Sequence, residues 1–280
     1  MGAGKVLVLY NYSQTLVKGE PKDMLAERGV IACAQAVAKA LAEAGYTVEI
    51  VAFSTDIEAA LAPYPPKDWV VFNLGEGLEG RLFEEARIAW ALEAMGYRFT
   101  GSPGEAIARS THKARAKAIL AETGVPTPPW KLLRDPAEVD GWQPDGPIIV
   151  KPVSEDASIG IGPGSVVTDP LQLRERVSYI VSRYRQAALA EKFIAGREFN
   201  VSLWGNEPEV LPLAEVDFSA FANPLEKIVS FAAKWEPDSF EYKNTPVLCP
   251  APVEPELKAK IEEIARKAWH AIGSVSYTHL

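Results

Sequence analysis

Cysteine is scarce in this chain. Cys33 and Cys249 are the only two in 280 residues, far apart and without neighbouring cysteine or histidine partners. That excludes a disulfide framework and a zinc site of recognisable spacing. Long apolar runs are missing too: none approaches the roughly 18 residues that cross a bilayer. Basic residues are outnumbered, 29 Lys and Arg against 37 Asp and Glu, for a net charge of −8. A balance of that sign argues against a nucleic-acid partner and against an anionic membrane surface, both of which want a basic face. There is no internal repeat and no low-complexity segment. The N-terminus leads directly into an apolar run with no signal-peptide cleavage pattern, so the expected location is the reducing cytoplasm.

What is present is ordinary for a soluble globular protein, with 48% apolar and 24% charged residues. The length suits two or three domains. Val6–Tyr10, Thr47–Phe53 and Trp69–Phe72 read as strands, separated by an alanine-rich helix over 30–43 and a short helix over 57–61. Strand–helix alternation of this kind implies a parallel α/β sheet, whose ligands sit beyond the carboxyl ends of the strands. The glycine-rich loop Asn73–Gly80 falls at that end, where Glu76 could hold an amine or simply be a solvated carboxylate.

A helix over 82–95, closed by Gly96, precedes the turn Arg98–Pro103 out of this first domain. Helices over 106–109 and 113–122 follow, then the proline-stiffened connector Val125–Trp130. Strands over 130–133 and 148–151 are expected to be antiparallel neighbours in a small α+β unit, completed by a strand over 165–167, a helix over 170–184 and a strand over 188–191. Strands over 198–204 and 210–216, an irregular stretch through Pro237, and a helix over 254–270 complete the pattern. That last helix has acidic residues in its first turn and an apolar face of Leu257, Ile261, Ile264, Ala265 and Ala268.

The most chemically suggestive stretch is Ile148–Gly162. An apolar strand ends in Lys151, Pro152 forces an extended exit, and small residues follow. A fixed ammonium beside a loop of orientable amides suits a polyphosphate. The alternative is a buried strand with a lysine at its rim and an ordinary flexible loop. Three further features fall in order around it: Lys113 at a helix start, Glu191-Lys192-Phe193-Ile194 at the exit of the middle unit, and Glu198 at the start of the next strand.

Taken with Thr100-Gly101-Ser102, Ile149-Val150-Lys151-Pro152, Glu198-Phe199 and Cys249-Pro250-Ala251, this order resembles the ATP-grasp superfamily. The D-alanine–D-alanine ligase branch is the nearer likeness, and it covers nearly the whole chain to about Gly273. The resemblance implies a parallel α/β domain over 1–102, a central ATP-grasp subdomain over 103–187 and a C-terminal one, incomplete, over 188–280. It implies ATP as cofactor. Lys113 and Lys151 would reach its phosphates, and Ser154–Gly160 would be a lid on which Ser158 covers them. Glu191 would accept from the adenine amine, with the main chain at Lys192 and Ile194 on the remaining purine edge. Glu198 would take the ribose hydroxyls, and Lys234 would close over the nucleotide.

The implied activity is ATP-dependent joining of an amino-acid carboxylate to an amine through an acyl phosphate, in the synthesis of cell-wall peptidoglycan precursors. Other amino-acid or peptide ligases of the superfamily, or a nucleotide-binding chain without catalysis, are the alternatives. Many members of the family are dimers, so a homodimer is a possible assembly.

The sequence also departs from the family pattern. The family holds Mg2+ with an Asp, a Glu and an Asn on strands after the helix corresponding to 254–270, whereas Ser274–Leu280 resembles no such strand. The expectation is therefore a truncated ligase, its metal ligands beyond the last residue. Asp217, after an apolar strand, corresponds to no family ligand. In the substrate half, Asn11–Glu27 has no Gly-Gly, leaving Glu27 or Glu20 as the amine-binding acid. Asn73-Leu74-Gly75 replaces His-Gly, Ala157 replaces a serine and Trp235 a tyrosine.

Overall fold

The computed structural model describes residues 4–11, 16–77, 84–142, 144–205, 207–274 and 278–279. The chain divides into two compact units, one made chiefly of residues 21–109 and the other chiefly of 110–272. The short segment 18–20 belongs to the second. Among the described residues no helix is long and apolar enough to cross a membrane.

The first unit is built on a parallel sheet. Strands β1 (Lys5–Asn11), β2 (Thr47–Phe53), β3 (Trp69–Leu74) and β4 (Arg98–Phe99) lie in the order β2-β1-β3-β4. The unbroken apolar run of β1 follows from coverage of both sheet faces. Leu7 and Leu9 pack with Val51, Phe53, Val71, Ile88 and Leu92, while Val8 between them meets Ala34 and Ala38 on the other side. Those alanines lie on α1 (Met24–Glu43), which begins six residues earlier than the alanine periodicity suggests. A glycine inside a helix costs up to about 1 kcal/mol, so Gly29 makes the sequence signal weak, but packing carries the helix through it. Gly45 ends α1 with φ +89°. Its N–H bonds to Ala42 and that of Tyr46 to Leu41, the paired closure that a left-handed C′ residue makes. Helices α2 (Ile57–Leu61), α3 (Glu84–Ala94) and α4 (Gly104–Thr111) complete the unit, apart from the last two residues of α4.

The second unit opens with α5 (Lys113–Glu122) and is centred on an antiparallel sheet of β5 (Trp130–Leu133), β6 (Ile148–Pro152), β7 (Val166–Val167) and β8 (Ala188–Lys192). Its order is β5-β8-β6-β7. β5 and β6 are therefore not neighbours, contrary to the sequence expectation. β8 lies between them and pairs antiparallel with both. Proximity in sequence favoured direct pairing, yet β8 offers an alternating Ala-Leu-Ala-Glu segment that fits between two covered faces.

One face packs against α6 (Pro170–Tyr184), through Ile148, Val150, Ala188 and Ala190 against Leu173, Val177 and Ile180. The other face puts Leu189, Trp130 and Leu132 against Ala114 of α5. Asp169 caps α6 by accepting from the Gln172 N–H at 2.9 Å, with Pro170 at its first position.

The remainder carries β9 (Glu198–Asn200), β10 (Ser202–Trp204), β11 (Glu209–Val210), β12 (Ala214–Val216) and β13 (Val247–Leu248). Short helices α7 (Phe231–Trp235) and α8 (Phe240–Lys243) precede β13, and α9 (Pro255–Ile272) follows it. The sequence reading made single strands of 198–204 and of 210–216. Each is split instead: β9 and β12 pair with each other, while β10 pairs with β11. Leu203 and Val210 pack with Ala265 and Trp269 of α9, whereas Val216 joins Phe218 and Phe221, so the two ends of 210–216 serve different cores.

Candidate functional site

Alternation along two strands assembles the site. In β6 and β8 successive side chains face opposite ways. Because Ile148, Val150, Ala188 and Ala190 face α6, Lys151 and Glu191 face α5. They stand diagonally across the β6–β8 pair, where Lys151 is opposite Leu189 and Ile149 opposite Glu191. The Lys151 ammonium is ion-paired with Glu191 Oε1. Helix α5 supplies the opposite wall, its first N–H donating to the Val153 carbonyl at 2.9 Å just beyond β6.

Lys113 and Lys117 project from α5 one turn apart. Lys113 Nζ donates to the Glu155 carbonyl in the loop after β6. Lys117 Nζ lies 2.6 Å from Glu191 Oε2 and also donates to Thr127 Oγ1. Lys117 was missed from the sequence; its four-residue spacing from Lys113 was the available signal.

The electrostatics follow from this crowding. Burial, and after it the nearby Lys151, push the Lys113 ammonium down to about 8 against the opposing pull of Asp156, Glu155 and Glu191. Burial raises the Glu191 carboxyl, but Lys151 and Lys117 outweigh it and the net shift is downward. Protein around the carboxyl of Glu198 raises it, partly offset by Lys234 and Lys151, although the residue as a whole is exposed.

The loop after β6 is held in a specific shape. Ala157 and Ser158 both adopt positive φ, 47° and 62°, which costs a non-glycine residue about 1 kcal/mol or more. Three bonds offset that cost. Ser158 Oγ donates to the Val229 carbonyl at 2.7 Å, Trp235 Nε1 to the Ala157 carbonyl at 2.9 Å, and the Phe231 N–H to Ile161 at 2.8 Å. The backbone N–H groups of Asp156, Ala157 and Ser158 have no acceptor among the described residues. Glu155 in the same loop is tied to Lys18 and to Gln186, which also accepts from the Ser154 N–H at 2.7 Å.

Lys113, Lys151, Glu191 and the Ser158 loop thus come together on one sheet face. Glu198 and Lys234 join through their charges, both on exposed residues. The Lys192 N–H is spent on the Pro129 carbonyl at 2.9 Å and its side chain pairs with Asp145 at 3.2 Å, so any contact from its main chain falls to the carbonyl. Ile194 is 62% exposed at the strand exit.

In the first unit, Glu76 is exposed and its N–H donates to Asn11 Oδ1 at 2.7 Å. The Glu27 side chain lies outside the described residues. Glu20 is ion-paired with Arg183 at 2.7 Å. Asp217 accepts from the Ser219 N–H at 2.8 Å and borders a separate cavity of about 380 Å³ beside Arg197, Glu215 and Lys227. Among the described residues no group of three or more His, Cys, Asp or Glu is placed to hold a metal ion.

A parallel α/β unit, an antiparallel sheet bearing Lys151 and the buried Glu191, and a facing helix bearing Lys113 are the arrangement of an ATP-grasp protein. The fold comparison agrees. D-alanine–D-alanine ligase from Bacillus anthracis superposes with a TM-score of 0.69 at 16% identity, over 99% of this chain and 81% of that one. The same enzyme complexed with ATP gives 0.62 at 17% identity, over 98% and 80%.

Sequence narrows the class. Residues 119–278 match the family model described as D-ala D-ala ligase C-terminus. A D-alanine–D-alanine ligase from Syntrophotalea carbinolica is 31% identical over 251 residues, 89% of this chain and 74% of that protein. The uncharacterized protein y4sG of Sinorhizobium fredii is 31% identical over 255 residues, 88% and 72%. The chain belongs to the D-alanine–D-alanine ligase family.

Proposed function

We propose that this protein is an ATP-dependent ligase that joins an amino-acid carboxylate to an amine through an acyl phosphate. D-alanine with D-alanine is the first pair to test, and a role in peptidoglycan precursor synthesis in the cytoplasm follows from that pair. The observation that carries the reading is the packing of Lys113 and Lys151 on one sheet face around Glu191, beside the amides of 156–158. Each of these groups fits ATP. Lys113 is an ammonium crowded by burial and a second ammonium, and a polyphosphate would relieve both. The unpaired N–H groups want an anion.

A carboxylate is a poor acyl donor because its carbonyl carbon is shielded by charge. Transfer of the γ-phosphoryl group to a carboxylate oxygen breaks its bond to ADP, which leaves, and makes an acyl phosphate. The neutral amine then attacks the carbonyl carbon, phosphate departs with the C–O bond electrons, and the nitrogen sheds a proton to solvent. Lys113 and Lys151 hold the phosphates in line and spread the charge that develops on the transferring group. The loop amides, with Ser158 once freed from Val229, cover the outer phosphates and exclude water. Glu191 accepts from the adenine amine, the main chain at Lys192 and Ile194 borders the base, Glu198 takes the ribose and Lys234 closes over it. The central ATP-grasp subdomain of this reading spans 103–187 and the C-terminal one 188–280. Magnesium would neutralise charge on the transferring phosphates in such enzymes; among the described residues no group of three or more His, Cys, Asp or Glu is placed to hold it. Glu27 and Glu76 are the acids assigned to the substrate amine. A homodimer is the proposed assembly.

A second reading concerns the amino acids joined. The y4sG relative, as similar as the named ligase at 31%, has no activity in its name, and the same cleft would serve another amino-acid or peptide ligase. Phosphate release from ATP, measured across D- and L-amino acids, separates the readings. Release that requires D-alanine supports the first, and release that requires a different amino acid supports the second. ATP turnover indifferent to every amino acid contradicts both, and binding without turnover marks a nucleotide-binding chain.

A further inference from the structure

We propose that Lys117 is a positioning residue that holds Glu191 as an acceptor-only carboxylate, so that the cleft selects a purine bearing an exocyclic amine over one bearing a carbonyl. The inference rests on the reading of this cleft as a nucleotide site and concerns a residue that reading leaves unassigned.

Lys113 and Lys117 share one face of α5, yet their amines serve different partners. That of Lys113 donates to a loop carbonyl, a contact a phosphate can replace. That of Lys117 points inward, 2.6 Å from Glu191 Oε2 and bonded to Thr127 Oγ1, with both side chains of the ion pair only 10% exposed. Thr127 is itself fixed, since Pro126, Pro128 and Pro129 restrict the backbone around it. Lys117 is thus committed to the carboxylate by geometry on both sides.

Its importance appears when the cleft fills. Glu191 is shared between Lys151 and Lys117. A triphosphate draws the Lys151 ammonium toward itself, leaving Lys117 as the remaining counter-charge. Without Lys117 a buried carboxylate gains a proton more readily. A protonated carboxyl carries an O–H donor as well as an acceptor, and an O–H suits a purine carbonyl as well as the ionised form suits an amine. Lys117 therefore secures the choice of base and leaves grip on the phosphates to Lys113 and Lys151.

The test is calorimetric titration of the full chain with ATP, inosine triphosphate and inorganic tripolyphosphate, for wild type, Lys117→Met, Lys117→Arg and Thr127→Val. The wild type should prefer ATP to inosine triphosphate by about tenfold, the worth of one charge-assisted hydrogen bond, with a ratio flat between about pH 6 and 8. Lys117→Met should reduce the preference to about twofold. It should also make the preference for ATP over inosine triphosphate fall toward low pH while tripolyphosphate affinity follows the wild-type pH profile, and Lys117→Arg should restore the preference. A folded Lys117→Met protein with the wild-type ratio and a flat profile overturns the proposal. Should that variant not fold, Thr127→Val keeps the charge but frees its anchor, and an unchanged ratio there overturns the proposal equally. Wild type that binds ATP without preferring it refutes this inference alone, whereas wild type that binds neither ATP nor tripolyphosphate refutes the nucleotide reading beneath it.

Discussion

Replacing Glu191 by glutamine keeps the shape of the side chain and one acceptor oxygen but removes the charge between two lysines. Glu191 and Lys117 have side chains 10% exposed, and Lys151 is 22% exposed, so solvent screening is weak. Breaking a buried pair from one side costs about 3–5 kcal/mol. The expected loss for Glu191→Gln near neutrality is about 3 kcal/mol. In a unit of this size that corresponds to a Tm lower by roughly 6–12 °C.

The pH dependence gives the sharper check. In wild type Lys151 and Lys117 outweigh burial and hold the Glu191 carboxyl below its ordinary value of 4.5. A depressed carboxyl contributes stability above its unfolded value and loses it as pH falls through the folded one, whereas glutamine has no such contribution to lose. The gap to wild type should therefore be full near neutrality and narrow as the pH falls below 4.5. Urea unfolding at several pH values measures it. A gap under about 0.5 kcal/mol near neutrality, the range of an ordinary surface substitution, would refute the reasoning, as would a gap that does not change with pH.

Other expectations follow from single contacts. Because burial sets Lys113 near 8 and bound phosphate favours its ammonium form, ATP binding near pH 8 should take up a fraction of a proton. Affinity should also decline as pH rises further. Titrations in buffers of different ionisation enthalpy check both, and proton release would count against the assignment. Gly160 has φ +74°, and a Cβ there would meet the Pro152 ring at 2.7 Å and Tyr184 at 3.1 Å. Gly160→Ala should thus destabilise by about 1–3 kcal/mol in a denaturant melt. Trp235→Phe deletes the 2.9 Å bond to the Ala157 carbonyl. It should speed amide exchange around 156–160 while leaving the β6–β8 ladder protected.

The sequence made the parallel sheet of the first unit legible because β1 is covered on both faces and so reads as one apolar run. Strand order in the second unit was not legible. Nothing local tells β5 that β8, some 55 residues later, will lie between it and β6. The break within 211–213 was hidden for a related reason: the run keeps its hydrophobic character while passing from the core of Val210 to that of Val216. Lys113, Lys151 and Glu191 stood out because each sits at an element boundary beside a distinctive word. Lys117 did not, since a lysine within Lys-Ala-Arg-Ala-Lys-Ala looks like a solvent-facing position until the sheet behind α5 is known. The binding of Glu20 to Arg183 depends on a contact between residues far apart in the chain, which no local pattern announces.

The central claim is that Lys151 and its neighbours form a nucleotide cleft. Calorimetric titration of ATP into the full chain, into Lys151→Ala and into Asp217→Ala tests it most directly. The account predicts saturable binding to wild type, binding weakened by about tenfold or more in Lys151→Ala through loss of a charge-assisted contact, and no change in Asp217→Ala, whose carboxylate is occupied with the Ser219 N–H. Wild-type affinity retained in a folded Lys151→Ala protein would contradict it.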